Sequence, residues 1–150
     1  MEEGRVESIV VGTDGSDTAG DAVKEAVRLA TVLGGELHIV SAFEPMRGAK
    51  VAGAPEAAAE VFAPRPDSEV ETILAEAAAA ARMAGASVET HAVRKGPADA
   101  LLEVAGSVDA DLIVVGSRGM HGAKRLVLGS VPNSVSHRAT CNVLIVSTDR

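Results

Sequence analysis

The residues best suited to chemistry form a glycine-framed loop in the last third of the chain. Gly116 and Gly119 follow an apolar run, and Gly129-Ser130 precedes a segment that can begin a helix. A strand that ends in such a loop and continues into a helix offers backbone N–H groups to an anion, because the first turn of a helix has no partners for them. Glycine also lets a ligand approach the backbone closely, since it has no Cβ. The loop therefore predicts phosphate binding, and with it a nucleotide ligand.

Basic side chains within this loop support the same prediction. Arg118, Lys124 and Arg125 form a local positive patch in a chain whose net charge is −7. We expect at least one of them, Arg118 in our assignment, to contact phosphate, whereas His121 is expected to be exposed to solvent. The spacing matches neither the dinucleotide fingerprint G-x-G-x-x-G nor the phosphate loop G-x-x-x-x-G-K-[ST]. Taken alone, the loop indicates an anion at a helix start.

A second distinctive segment, Gly12-Thr13-Asp14-Gly15-Ser16, follows the first apolar run. A carboxylate beside phosphates is a common Mg²⁺ ligand, so Asp14 is a candidate metal ligand. It could instead bond a ribose or a base, or cap the helix that follows. Ala42, at the end of the second predicted strand, could offer its backbone groups to the edge of an adenine.

Hydrophobic periodicity predicts alternating strands and helices. The predicted strands cover 8–11, 36–42, 87–93, 111–115 and 142–147, and the predicted helices cover 17–33, 68–84, a segment from 97, and 130–138. This alternation predicts an α/β fold, an open five-stranded parallel sheet with helices on both faces. We favour the strand order 3-2-1-4-5 over 2-1-3-4-5, because it makes strands 1 and 4 neighbours at the switch point, where open sheets bind ligands.

Composition sets the limits of the other predictions. The chain of 150 residues, with no Trp or Tyr and two Phe, predicts one domain with an aliphatic core, as in a parallel sheet. The net charge of −7 argues against nucleic-acid binding. A single cysteine, no signal-peptide pattern and no apolar run near the roughly 20 residues of a membrane helix predict a cytoplasmic protein that does not enter membranes. Residues 44–66, rich in Pro, Gly and Ala, predict a surface excursion, more typical of a mobile loop than of a lid.

The spacing Gly116-x2-Gly119-x9-Gly129-Ser130 resembles the nucleotide-binding signature of the universal stress protein family. The resemblance extends over nearly the whole chain, through Val10–Ser16, Gly96–Ala100 and Cys141–Val146. It departs from the family pattern at Pro132, where a small polar residue or alanine is commoner, and at Asn142, which replaces a frequent proline.

The resemblance implies a stress-response regulatory protein, the order 3-2-1-4-5, a homodimer, and ATP bound across strands 1 and 4 with Mg²⁺ or Mn²⁺. Some relatives prefer AMP or cyclic AMP, and Pro132 bears on that choice because it removes one N–H group from the helix start. Carried over by position, Thr13 and Asp14 lie near ribose, base or metal, and Ala42 lies near adenine. The residues implied around the ribose and the phosphates are Gly116, Gly119, Gly129, Ser130 and Val131.

The same residues leave room for other functions. A phosphoryl-transfer enzyme is the weaker hypothesis, since the nucleophile elbow and a kinase-like set of residues are missing and the four histidines show no metal-ligand spacing. Slow ATP hydrolysis stays open. His38 and His91 are expected to be sheet residues, and Cys141 a buried small hydrophobe. Strand 5 is an edge in the favoured order, and its apolar run predicts pairing in a homodimer. That run is Val143, Leu144, Ile145 and Val146.

Overall fold

Five strands and four helices alternate along the residues that the structure, a computed structural model, describes: 4–43, 67–117 and 128–148. The strands are β1 (Ser8–Gly12), β2 (Glu36–Ala42), β3 (Ser87–Val93), β4 (Leu112–Gly116) and β5 (Asn142–Val146). The helices are α1 (Asp17–Leu33), α2 (Asp67–Met83), α3 (Pro97–Ser107) and α4 (Ser130–Arg138). Each predicted element is present, with bounds that differ by at most one residue where both ends were predicted. The predicted excursion at 44–66 and the loop residues 118–127 lie outside the described residues.

The strands form one parallel sheet in the order β3-β2-β1-β4-β5, which confirms the predicted topology. β1 lies at its centre, and Ile9, Val10 and Val11 are completely buried. A central parallel strand is covered on both faces, so its interior positions favour aliphatic side chains. Ile9, Val10 and Val11 meet that requirement.

Alternate residues of the strands pack against two separate helix layers. On one face, Ile9, Val11 and Ile39 pack with α1 and α2. On the other, Val10 and Val40 pack with α3 and α4. The first two connections therefore run on one face toward β3, whereas the last two run on the opposite face toward β5. The chain changes direction between β1 and β4, which makes this pair the topological switch point.

Several helices begin or end at residues that favour a helix terminus. The Ser16 side chain accepts a hydrogen bond from the Ala19 N–H at 3.2 Å and caps α1, and Gly34 ends that helix in the left-handed region at φ 74°. Pro97 occupies the start of α3, where a missing N–H costs little. Within the described ranges, no helix combines the length and the apolar character needed to cross a bilayer.

Candidate functional site

A pocket lies at the carboxyl ends of β1, β2 and β4, bounded by the first turns of α1, α3 and α4. Seven of the residues predicted to form the site line this pocket. They are Thr13, Asp14, Ala42, Gly116, Gly129, Ser130 and Val131. β1 and β4 are directly hydrogen-bonded neighbours, so the loops after Gly12 and Gly116 leave the sheet side by side. The other two predicted residues, Arg118 and Gly119, lie outside the described residues.

The turn after β1 forms one wall of the pocket. The Thr13 N–H donates to the Val40 carbonyl at 2.8 Å, which holds the turn against β2. Within the turn, the Gly15 N–H donates to Thr13 Oγ1 at 3.1 Å and the Ser16 N–H donates to Asp14 Oδ1 at 2.9 Å. Asp14 therefore does not cap α1, because Ser16 has that role. The exposed Asp14 carboxylate is held beside the pocket with one oxygen engaged by the backbone.

The start of α4 forms a second wall. Gly129 is the N-cap residue, with extended backbone angles (φ −59°, ψ 162°), and it contributes no side-chain hydrogen bond. Ser130 is the first helical residue, so Gly129, and not Ser130, is the cap of α4. The Asn133 N–H already donates to the Gly129 carbonyl, and Pro132 has no N–H. The first-turn donors that face the pocket region are therefore the N–H groups of Ser130 and Val131.

The electrostatics of this wall favour an anion. No acidic residue lies in the first turn of α4, so the positive end of the helix dipole is not neutralised from within the helix.

Backbone hydrogen bonds fix both ends of the glycine loop. The Ser117 N–H donates to the Val146 carbonyl at 2.8 Å, and the Gly129 N–H donates to the Ser117 carbonyl at 3.0 Å. The backbone of β5 thus binds Ser117, and Ser117 in turn binds Gly129 at the far end of the loop.

The floor of the pocket is apolar, and most of it was not predicted from the sequence. Val40 and Val115 contribute from the strands, Leu101 from α3, and Ala19 and Ala22 from α1. Small residues at the first turns of α1 leave space against the sheet, and that pattern was a usable signal. An apolar floor with a few polar groups at the rim is typical of small-ligand sites. This arrangement can accept a planar ring below and an anionic group at the rim.

Comparisons with known proteins identify the family to which this chain is similar. The model of the universal stress protein family matches residues 5–147. Universal stress protein Rv1636 of Mycobacterium tuberculosis (strain H37Rv) is 38% identical over 142 residues, which cover 94% of this chain and 96% of the relative.

Two solved structures of relatives contain adenine nucleotides. A universal stress protein in complex with cAMP is 36% identical, with a TM-score of 0.74 and coverage of 97% of this chain and 99% of that one. The universal stress protein of Archaeoglobus fulgidus in complex with dAMP is 26% identical, with a TM-score of 0.65 and coverage of 95% and 98%. Because the family model covers residues 5–147 and the Rv1636 relative is 38% identical over 94% of the chain, the chain belongs to the universal stress protein family.

Proposed function

We propose that this chain is a cytoplasmic regulatory protein of the stress response that binds an adenine nucleotide in the pocket between β1 and β4. ATP with Mg²⁺ or Mn²⁺ is the first candidate ligand. One observation carries the proposal: the Asp14 residue and the start of α4 line one pocket together with an apolar floor. The cAMP and dAMP complexes of two relatives support an adenine nucleotide as the ligand class.

The proposed ligand would lie across the switch point. The adenine would rest on the apolar floor near Val40 and Ala42, which line the pocket at the end of β2. The ribose would lie between Thr13 and Gly116. The phosphates would accept hydrogen bonds from the start of α4, because free N–H groups and the helix dipole both favour negative charge there. In this proposal Arg118 and Gly119 complete the phosphate site, and Asp14 holds the metal ion with the phosphates.

A nucleotide with a single phosphate is a second candidate, and Pro132 is the observation that favours it. Pro132 occupies the third position of α4 and removes one of the donors that a longer phosphate chain could use. A relative that is 36% identical forms a complex with cAMP. AMP and cAMP therefore compete with ATP in this proposal.

Isothermal titration of the purified protein with ATP plus MgCl₂, AMP and cAMP tests the proposal. We expect saturable binding with one nucleotide per chain and a preference among the three. The absence of binding heat with all three, at two temperatures, would contradict the proposal. Phosphate release is measured in the same samples, since sustained turnover that is lost in Asp14→Ala would indicate an ATPase rather than a binding protein.

The proposal includes a homodimer that pairs through β5. β5 is the last strand in the sheet order, so one side of its backbone has no strand partner among the described residues. Edge strands of this kind are commonly covered by pairing with a second chain. The side chain of Ile145 is 37% exposed there, in a strand that is otherwise Asn-Val-Leu-Val.

A further inference from the structure

A buried histidine lies in the interior of the sheet, away from the proposed nucleotide pocket. His38 on β2 is only 2% exposed, although the neighbouring positions Leu37, Ile39 and Val40 are aliphatic. The register pairs His38 with Glu89 of β3, and Val40 with His91. Because side chains alternate along a strand, His38, Glu89 and His91 all lie on the face of the sheet that α3 and α4 cover. Two imidazoles and a carboxylate from two strands thus meet at one point.

Polar groups on β2 and β3 surround the buried imidazole. His38 Nε2 lies 3.1 Å from Glu36 Oε1, which is also on this face of β2. When Nε2–H donates to that carboxylate, the other ring nitrogen, Nδ1, carries a lone pair. His38 Nδ1 lies 2.9 Å from His91 Nε2 and 3.5 Å from Glu89 Oε2. A histidine whose outer N–H donates to a carboxylate is the usual arrangement for a metal ligand, because the bond fixes both the tautomer and the ring.

We propose that His38 Nδ1, His91 Nε2 and the Glu89 carboxylate form a binding site for a divalent transition-metal ion, with Glu36 orienting His38. Tetrahedral zinc with ligands at about 2.0–2.1 Å requires ligand atoms about 3.3 Å apart. The 2.9 Å and 3.5 Å separations bracket that value, and all three ligand atoms lie within 4.8 Å of one another. Two imidazoles with one carboxylate suit zinc and similar ions better than Mg²⁺.

The surroundings of the site allow an ion to enter and to be neutralised. The Glu89 side chain is 61% exposed, so it can rotate to close the coordination triangle, and one side of the site faces solvent. Such an opening leaves the fourth tetrahedral position to water. The carboxylates of Glu36 and Glu89 together balance the charge of a divalent ion. None of the three ligands lines the nucleotide pocket, so the metal site is separate from the Mg²⁺ or Mn²⁺ proposed at Asp14.

Titration of the full-length, metal-free protein with ZnCl₂ in a calorimeter, without nucleotide, tests this site. We expect one tightly bound zinc ion per chain. The zinc affinity should fall at least about tenfold in Glu89→Gln and in His91→Gln, since each variant removes a ligand. Glu36→Gln should lower the zinc affinity by a smaller factor, because Glu36 only positions His38. Zinc should also raise the thermal unfolding midpoint of the wild-type protein, whereas Mg²⁺ at the same concentration should not.

Two matched variants separate this site from other zinc ligands. His137→Gln removes an exposed histidine on α4, and Asp14→Asn removes the proposed nucleotide-linked metal ligand. Both should bind zinc like the wild type. The proposal would be overturned if the wild type showed no saturable zinc binding. It would also be overturned if Glu89→Gln and His91→Gln bound zinc as tightly as the wild type. Glu89 is largely exposed, so Glu89→Gln keeps the test valid even where a histidine variant folds poorly.

Discussion

At the residue scale, the Asp14 carboxylate has two oxygens, and the turn after β1 engages one of them. Oδ1 accepts the Ser16 N–H at 2.9 Å, directly before the helix that Ser16 caps. This bond restricts the rotation of the side chain before any ligand arrives. A carboxylate held in this way loses less conformational entropy when it binds a metal ion. The turn therefore prepares the residue for the role that we propose.

Asp14→Asn separates the charge of this residue from its structural bond. The amide oxygen of Asn can still accept the Ser16 N–H, so the turn should keep its shape, whereas the anionic ligand is lost. We expect the affinity for ATP with Mg²⁺ to fall about tenfold, or about 1.4 kcal/mol. The affinity for AMP, measured in the presence of a chelator, should change less than about twofold by the same titration, because no metal is involved.

Asp109→Asn is the matched control for this prediction. Asp109 lies between α3 and β4, at the opposite end of β4 from the pocket, and its φ of 55° is one that Asn adopts readily. It makes the same change of charge without touching the site. If Asp14→Asn bound ATP and Mg²⁺ as the wild type does, Asp14 would not be a metal ligand.

At the element scale, the junction between β1 and α1 depends on a glycine. Gly15 has φ +83°, and a Cβ placed on it would lie 3.1 Å from the Ile73 side chain on α2. Gly20, inside α1, has nothing within 4 Å of its Cβ position. The two glycines therefore differ in backbone conformation and in the room available for a Cβ, although they are only five residues apart in the sequence.

Alanine at these two positions should have opposite effects. Gly15→Ala forces a left-handed conformation and a close contact, so we expect the free energy of unfolding to fall by about 1–2 kcal/mol. Gly20→Ala should raise it by about 0.5–1 kcal/mol, because alanine loses less entropy in a helix. Urea unfolding followed by circular dichroism measures both values. A destabilised Gly20→Ala, or a Gly15→Ala variant as stable as the wild type, would contradict this account.

Most of the fold could be predicted from the sequence because each element carries its own local signal. Aliphatic runs predict the strands and helical periodicity predicts the helices, and Ser16, Gly34 and Pro97 lie at or beside the observed helix ends. The order β3-β2-β1-β4-β5 followed from placing the two loops of unusual composition together, and the structure confirms it. These signals act over short ranges of sequence, so periodicity and capping chemistry were sufficient.

Features that depend on register were beyond the sequence. His38 and His91 are 53 positions apart, and only the pairing of β2 with β3 brings His38 Nδ1 to 2.9 Å from His91 Nε2. The sequence predicts sheet residues rather than ligands at both positions; both do lie in the sheet, but their contact has no sequence signal, and our metal-site proposal departs from that prediction. The same holds for Leu101, which reaches the floor of the pocket only through the packing of α3 on the sheet.

At the scale of the whole molecule, the sheet order separates three surfaces. The pocket lies near the centre, at the carboxyl ends of β1 and β4. The proposed metal site lies on β2 and β3, toward one edge, and β5 forms the other edge. Pairing of two chains through β5 would therefore occur on the side of the sheet opposite to the histidines, and next to the wall that holds the glycine loop.

Ile145→Lys tests the proposed assembly through β5. Ile145 is 37% exposed on the edge strand, and a lysine there should oppose strand pairing, since edge charges are a common means of blocking it. We expect light scattering to give the mass of a dimer for the wild type and of a monomer for this variant at micromolar concentration. Met83→Lys, which places the same charge on a residue that is 90% exposed at the end of α2, should stay dimeric.

A dimer that persists in Ile145→Lys would exclude β5 as the interface. A monomeric variant that also lost nucleotide affinity would mean that the pocket depends on the dimer, through the Ser117 and Val146 backbone contact that links β5 to the glycine loop.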